Sequence, residues 1–366
     1  MTLPRFKTIL YTSITVSFHF AKPFIFFSLT YPLYFSNKKL TEFPHFSAAS
    51  VNAIFFSFPL PERTSSVKIP TMKTLLILLL TILLLLLALS VLFVFLIAPA
   101  HVNAELRRQF TGCRFAHRGL HSKDKSVPEN SLAAFRLAVE NGYGIELDIR
   151  FTKDKQLVVF HDDTLLRMCG TDRRVDEFTY EELQTFRLLD STEQIPLFSE
   201  VLSLVDGQVP LLVELKTGPE NALLCSHAYS MLQQYRGPYC IESFHPMIVC
   251  WFKKNAPQIL RGQLSAPPQA FDGTLSRVSA FLLSHLLTNF LARPHFIAYH
   301  KGKAPFPVHL CQKLGAMRAV WTLRDEDYTG AGIVRSRPND SSIEKNHKPI
   351  ELFGDNDMII FEYFRP

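Results

Sequence analysis

Eight short apolar runs, most of them separated by stretches of helical periodicity, occupy the second two thirds of this chain and leave it few architectures to choose from. The runs are Cys113–Ala116, Ile145–Arg150, Leu211–Lys216, Tyr239–Phe244, Leu260–Ser265, Phe296–His300, Ala319–Leu323 and Met358–Tyr363. Helical patterns fall at Ser131–Glu140, Phe198–Val205, Ala222–Gln234, Pro246–Asn255 and Leu275–Leu291. In the first, Leu132, Phe135 and Val139 share a face, and Gly142 stands just past the end as a normal stop. Strand–helix alternation of this kind implies a parallel sheet with helical crossovers. Eight units over about 250 residues match a (β/α)8 TIM barrel, the expected fold. A doubly wound open sheet gives the same alternation, and periodicity alone does not separate the two.

One run breaks the rule. Leu157–His161 follows Ile145–Arg150 across Thr152-Lys153-Asp154-Lys155, far too few residues for a helical crossover. The pair must form a hairpin, which returns His161 to the rim that the preceding strand passed. Barrel active sites lie at the C-terminal ends of the strands, so this geometry already bears on function.

Leu75–Ile97 carries no charge over its length, and as a helix of roughly 35 Å it is long enough to span a membrane. A cleaved secretory signal is the alternative, with small-residue sites at Ala98-Pro99-Ala100 and Val102-Asn103-Ala104, but its apolar core is usually only about 7–15 residues. A retained transmembrane helix over 72–98 is therefore expected, followed by a linker over 99–111 and a barrel domain over 112–366. Residues 1–71 are rich in Phe, with scattered Pro, Ser and Thr and no sustained period, and Met72-Lys73 stands before the apolar run as a short basic leader would. The expectation is a start at Met72 preceded by an unstructured or mis-assigned extension; a second, Pro-broken membrane segment around Ile9 to Phe35 is the competing possibility.

The formal net charge is +6, yet eight Lys/Arg against two Glu before residue 74 account for all of it. A neutral body offers no broad footprint for nucleic acid, so none is expected as a partner. The six cysteines are scattered without metal spacing and read as ordinary buried thiols. Lys73 faces Arg107, Arg108 and Arg114 across the apolar run, so the charge rule for orientation nearly balances; the barrel is expected outside the cytoplasm of the cell whose membrane holds it.

Polar residues stand where strand packing has no need of them. Glu146 and Asp148 are two apart in IELDIR and so share a strand face; Glu214 and Lys216 repeat the arrangement in LLVELK. Three carboxylates meeting at one mouth repel unless a cation lies between them, and hard oxygen ligands suit Mg²⁺ or Ca²⁺ better than zinc. His117 follows the first run and His161 closes the hairpin; flanking an oxygen-ligand metal site, they suggest an acid/base pair. Arg118 offers a bidentate fork that fits phosphate, and Gly119 behind it lets backbone approach a ligand. Pro128-Glu129-Asn130 precedes the first helix, where Asn130 or Ser131 reads as an N-cap. Phe244 and Trp321 are candidates for the pocket wall or for core packing.

Taken in order, HRG at 117–119, PEN at 128–130, Phe135, ELD at 146–148, HDD at 161–163, Ile195-Pro196 with Glu200, ELK at 214–216, Ser243-Phe244 and Trp321-Thr322 resemble the glycerophosphodiester phosphodiesterase family over about residues 113–366. The resemblance implies a TIM barrel that hydrolyses a glycerophosphodiester to glycerol 3-phosphate and an alcohol. It implies His117 and His161 as the acid/base pair, Glu146, Asp148 and Glu214 as ligands of a divalent cation, Arg118 and Lys216 on phosphate, and Glu129 in support. In that family a substrate hydroxyl is thought to attack phosphorus, giving a cyclic phosphate that water opens. Two departures stand out: Phe361-Glu362 where the family commonly has Thr-Asp, and a short segment after His161 without a large cap. Both bear on substrate choice. The expected activity is thus a membrane-anchored metal phosphodiesterase. The alternatives are the same site acting on lipid head groups, as a lysophospholipase D or phospholipase C does, and a catalytically inactive, membrane-tethered binding module.

Overall fold

The computed structural model describes residues 71–271, 273–324, 327, 356–363 and 365–366; apart from Thr71, the expected 1–71 extension lies outside the described residues. Among the described residues, nine strands make one sheet: β1 Cys113–Ala116, β2 Gly144–Phe151, β3 Leu157–Val159, β4 Leu211–Leu215, β5 Tyr239–Ser243, β6 Leu260–Ser265, β7 Phe296–His300, β8 Met317–Leu323 and β9 Met358–Phe361. Eight are parallel neighbours in the order β1-β9-β8-β7-β6-β5-β4-β2, and β2 pairs back onto β1, closing the ring. Closure decides for the TIM barrel over the open sheet. The remaining strand, β3, pairs antiparallel with the end of β2 (Ile149 opposite Val159, Phe151 opposite Leu157) as the hairpin the short connection demands.

Side-chain alternation sorts the strand residues into two cores. Outward residues such as Ile145, Leu147, Val213 and Ile241 pack under the helices, against Phe135, Phe198, Val201 and Phe252. Inward residues Phe115, Leu212, Cys240, Leu260, Phe296, Met317 and Met358 fill the barrel, and Phe110 joins them from below. Phe110 belongs to a helix, Ala104–Phe110, inside the stretch expected to be a linker. Its Arg107 reaches Asp357 at 3.1 Å and the Gly315 carbonyl at 2.7 Å, so this segment is the barrel's floor rather than a free tether.

The helices begin where capping chemistry puts them. Ser131 Oγ accepts from Ala134 N–H to open Leu132–Glu140, and Thr179 and Glu182 form a capping box before Tyr180–Leu183. The helix expected over Leu275–Leu291 is instead two, Arg277–Ser284 and Asn289–Ala292, because Leu286 turns into the left-handed region at φ +58°. Met72–Ile97 is a single helix containing an 18-residue stretch of mean hydropathy 3.3; its residues before Phe93 are all exposed, and by length and composition it could cross a membrane. Of the six cysteines, four are buried and Cys113 and Cys169 half-buried, all with free thiols.

Gly262 in β6 shows how tightly the interior is fitted. A Cβ there would lie 2.1 Å from the ring of Phe296, itself fully buried. Gly262→Ala is therefore expected to lower stability by about 1–3 kcal/mol through overpacking, measured by denaturant unfolding.

Candidate active site

Several strands carry a carboxylate or an imidazole in, or just past, the half nearest the rim. Parallel registration places Asp148 opposite Glu214 and Glu214 opposite Glu242, so three carboxylates from β2, β4 and β5 share one level, and Glu146 lies two residues below Asp148 on the same face. All four are buried, between 1% and 8% exposed. Oxygens of Glu146, Asp148 and Glu214 lie within 4.8 Å of one another, close enough to share a single ion.

The positive groups are arranged unevenly around them. Lys216 Nζ, just past β4, sits 2.8 Å from both Asp148 Oδ1 and Glu214 Oε1. Asn130 Nδ2 donates to Asp148 Oδ2 at 2.8 Å, so Asn130 serves the site while Ser131 caps the helix. The backbone N–H of Arg118 donates to Glu146 Oε2 at 2.8 Å, but its guanidinium turns to Glu129, with Nη1 2.8 Å from Oε1. Burial works against ionisation of Asp148, yet Lys216, His161 and Arg118 outweigh it and hold the carboxyl well below the usual range. Glu214 is pushed up by burial against the pull of Lys216. Glu146 and Glu242 are pushed well above the usual range, by burial first and by the neighbouring carboxylates second. Glu242 Oε2 is buried with no hydrogen-bond partner. This excess of buried negative charge, offered by hard oxygen donors, fits a divalent cation held by Glu146, Asp148 and Glu214.

Two imidazoles stand over the carboxylates. His117, immediately after β1, has Nε2 4.0 Å from Glu146 Oε2 and Nδ1 3.8 Å from Glu362 Oε1. Burial, helped by Arg118, lowers its pKa to about 4, so the ring is neutral near pH 7. His161 is fixed by the hairpin: Arg150 donates to the carbonyls of Phe160 and His161, and His161 Nδ1 lies 2.6 Å from Asp162 Oδ1. Arg167 ties Asp162 to Glu129, at 2.6 and 2.7 Å, and so links the second imidazole to the loop that positions Arg118. A cleft lined by His117, Arg118, Glu146, His161 and Glu214 has Phe244 and Trp321 as its wall, packed edge-on with ring centres 5.7 Å apart. The two cations expected to contact phosphate, Arg118 and Lys216, thus rest on carboxylates; a phosphate reaching them would share them with Glu129 and with Asp148 and Glu214.

The profile of the Glycerophosphoryl diester phosphodiesterase family matches residues 117–341, more than half of the chain. The chain belongs to this family. A glycerophosphodiester phosphodiesterase of Caldanaerobacter subterraneus subsp. tengcongensis is 41% identical over 164 residues, covering 41% of this chain and 65% of the relative. A lysophospholipase D of Rattus norvegicus is 29% identical over 157 residues, 39% of this chain and 48% of the relative. The chain thus matches less than two thirds of the length of either. Among solved structures, an Oleispira antarctica phosphodiesterase in complex with the product sn-glycerol-3-phosphate superimposes with a TM-score of 0.53 at 22% identity, covering 70% of this chain and 95% of that one.

Besides Asn130, which reads as a helix cap, three residues at the site lie outside the set that this family member's sequence assigns to it. Glu242 sits mid-strand in YCIES two residues after Cys240, the same inward-facing signal that marks Glu214. Glu362 was visible as a departure; pairing of Ala116 with Phe361 brings the next residues, His117 and Glu362, side by side. His121 Nε2, 3.2 Å from Glu362 Oε1, had no sequence signal. Although burial opposes its ionisation, His117, His121 and Arg324 keep Glu362 below the ordinary carboxylate range. Glu362→Gln removes the charge facing His117 Nδ1; should His117 move a proton in turnover, kcat is expected to fall roughly tenfold to a hundredfold, the scale known for outer partners of metal-bound histidines, with KM little changed. Steady-state kinetics on the two proteins check it.

Proposed function

We propose that this chain is a membrane-anchored, divalent-cation-dependent phosphodiesterase that cleaves glycerophosphodiesters to glycerol 3-phosphate and an alcohol. The observation that supports it most is the meeting of Glu146, Asp148 and Glu214 beneath His117 and His161 in one cleft. Family membership and the bacterial relative's activity point the same way.

The geometry divides the labour. Bound by Glu146, Asp148 and Glu214, Mg²⁺ or Ca²⁺ would polarise a phosphoryl oxygen and offset charge developing on it. His117, neutral near pH 7, is placed to take the proton of the glycerol hydroxyl as its oxygen bonds to phosphorus. His161, its Nδ1 side engaged with Asp162, is left with Nε2 to protonate the alcohol oxygen as the phosphorus–oxygen bond to it breaks. A water then opens the resulting cyclic phosphate, His161 taking its proton and His117 returning one to the glycerol oxygen. Arg118 and Lys216 border the space for the non-bridging oxygens, with Glu129 holding Arg118. The helix Met72–Ile97 would keep the barrel at a membrane.

The test is release of glycerol 3-phosphate from glycerophosphocholine by the purified chain with Mg²⁺ or Ca²⁺. Activity is expected to vanish in excess chelator and return when the ion is restored; a full rate in chelator contradicts the reading. His117→Ala and His161→Ala should each lose at least about 10²–10⁴-fold in turnover with an unchanged circular dichroism spectrum.

A further inference from the structure

The helix Met72–Ile97 touches the barrel only through its last turns. Every side chain from Thr71 to Leu92 is exposed, and packing starts at Phe93. From there the chain descends the outer wall beside Asn289–Ala292, which precedes β7, and Phe306–Lys313, which follows it. Phe93 stacks on Phe306 with ring centres 6.4 Å apart. Ile97 is fully buried with Leu286, Val308 and Cys311, and its carbonyl accepts from Asn289 Nδ2 at 3.2 Å. Arg293 Nη1 donates to the carbonyls of Phe95 and Ala98 at 2.8 and 2.9 Å, closing the helix end with a cation. Ala100 N–H donates to the Pro294 carbonyl at 2.9 Å.

These contacts have a direction. Phe306 opens the helix that leaves the C-terminal end of β7, where the mouth lies, whereas Pro294 stands just before the N-terminal end of β7, at the floor. Passing from Phe93 to Ala100 is therefore passing from mouth to floor. Met72–Leu92 consequently projects beyond the mouth. About 21 residues at about 1.5 Å each give roughly 31 Å, the thickness of a hydrocarbon core.

The same end of the barrel is apolar at its rim. In Arg277–Ser284, Ala280 turns inward to Phe271 and the Phe244–Trp321 wall, leaving Val278 and Phe281 outward, 69% and 50% exposed. Leu275 just before that helix, Phe306 at 68% and Met247 at 50%, in the first turn after β5, are exposed at the same level. Single exposed apolar residues need no explanation, but a group gathered at one end beside an apolar helix does. Arg277 and Lys303 are exposed among them, as cations meeting phosphate head groups would be.

We infer that the barrel is seated mouth-down on the bilayer that holds the Met72–Ile97 helix, with Val278, Phe281, Leu275, Phe306 and Met247 in the head-group layer, and that the cleft takes the phosphodiester of a lipid from that leaflet. The second half rests on the phosphodiesterase reading; the seating does not. Both are tested on the full chain reconstituted in phosphatidylcholine–phosphatidylserine vesicles. A photoreactive benzoylphenylalanine at Val278 should cross-link lipid at least fivefold more than one at Arg108, exposed on the floor helix; equal yields, or more at 108, overturn the seating. The double variant V278E/F281E alters no residue of the cleft. It should hydrolyse dissolved glycerophosphocholine within twofold of the parent rate and vesicle-borne lysophosphatidylcholine about tenfold more slowly. Equal effects on the two substrates, or a parent protein that cleaves only the dissolved one, overturn the lipid supply. A parent that cleaves neither removes the phosphodiesterase reading and the lipid supply with it, while cross-linking still decides the seating.

Discussion

Four carboxylates at the mouth of one barrel, all shielded from water, are the constraint around which the rest of this structure is arranged. Lys216 supplies one full charge between Asp148 and Glu214, Arg118 gives Glu146 only a backbone N–H, and Glu242 keeps an oxygen without a partner. Mutual repulsion at this range in a medium of low polarity is costly. Burial first, and this repulsion second, push Glu146 and Glu242 well above the ordinary carboxylate range. A divalent ion would offset it more fully and leave the oxygens as ligands.

What surrounds that cluster serves to hold it still. Close packing below, with Phe110, Phe115 and Phe296 filling the barrel, leaves the inward strand faces polar only at the top. The β2–β3 hairpin carries His161 back to the rim, and Arg150 clamps the carbonyls on either side of it. Glu129, Arg167 and Asp162 form a chain of ion pairs that joins the loop of Arg118 to the loop of His161. The two imidazoles thus face carboxylates from separate directions, Glu362 just past the closing strand at 3.8 Å and Asp162 after the hairpin at 2.6 Å.

Local pattern made most of the barrel legible in the sequence. Short apolar runs between helical patterns mark the strands, and Glu146, Asp148 and Glu214 stand out as charges where strand packing has no need of them. A connection of four residues made the β3 hairpin a necessity. Closure was not legible, since it depends on β1 meeting both β2 and β9, residues far apart in the chain. Glu362 was noticed only as a departure, because its role depends on that same pairing with the end of β1. Asn130 read as a cap; a φ of +55° aims it instead at Asp148. The direction in which the apolar helix meets the barrel was invisible as well, being set by Arg293, Asn289 and Phe306 on distant segments.

The central claim is that Glu146, Asp148 and Glu214 hold one divalent cation. Titrating the metal-free chain with Mn²⁺, and following the free ion by electron paramagnetic resonance, tests it without reference to any substrate. One tightly bound ion per chain is expected, lost or greatly weakened in Glu146→Gln and in Glu214→Gln while the protein stays folded. Absence of stoichiometric binding, or binding that survives both substitutions unchanged, would contradict it.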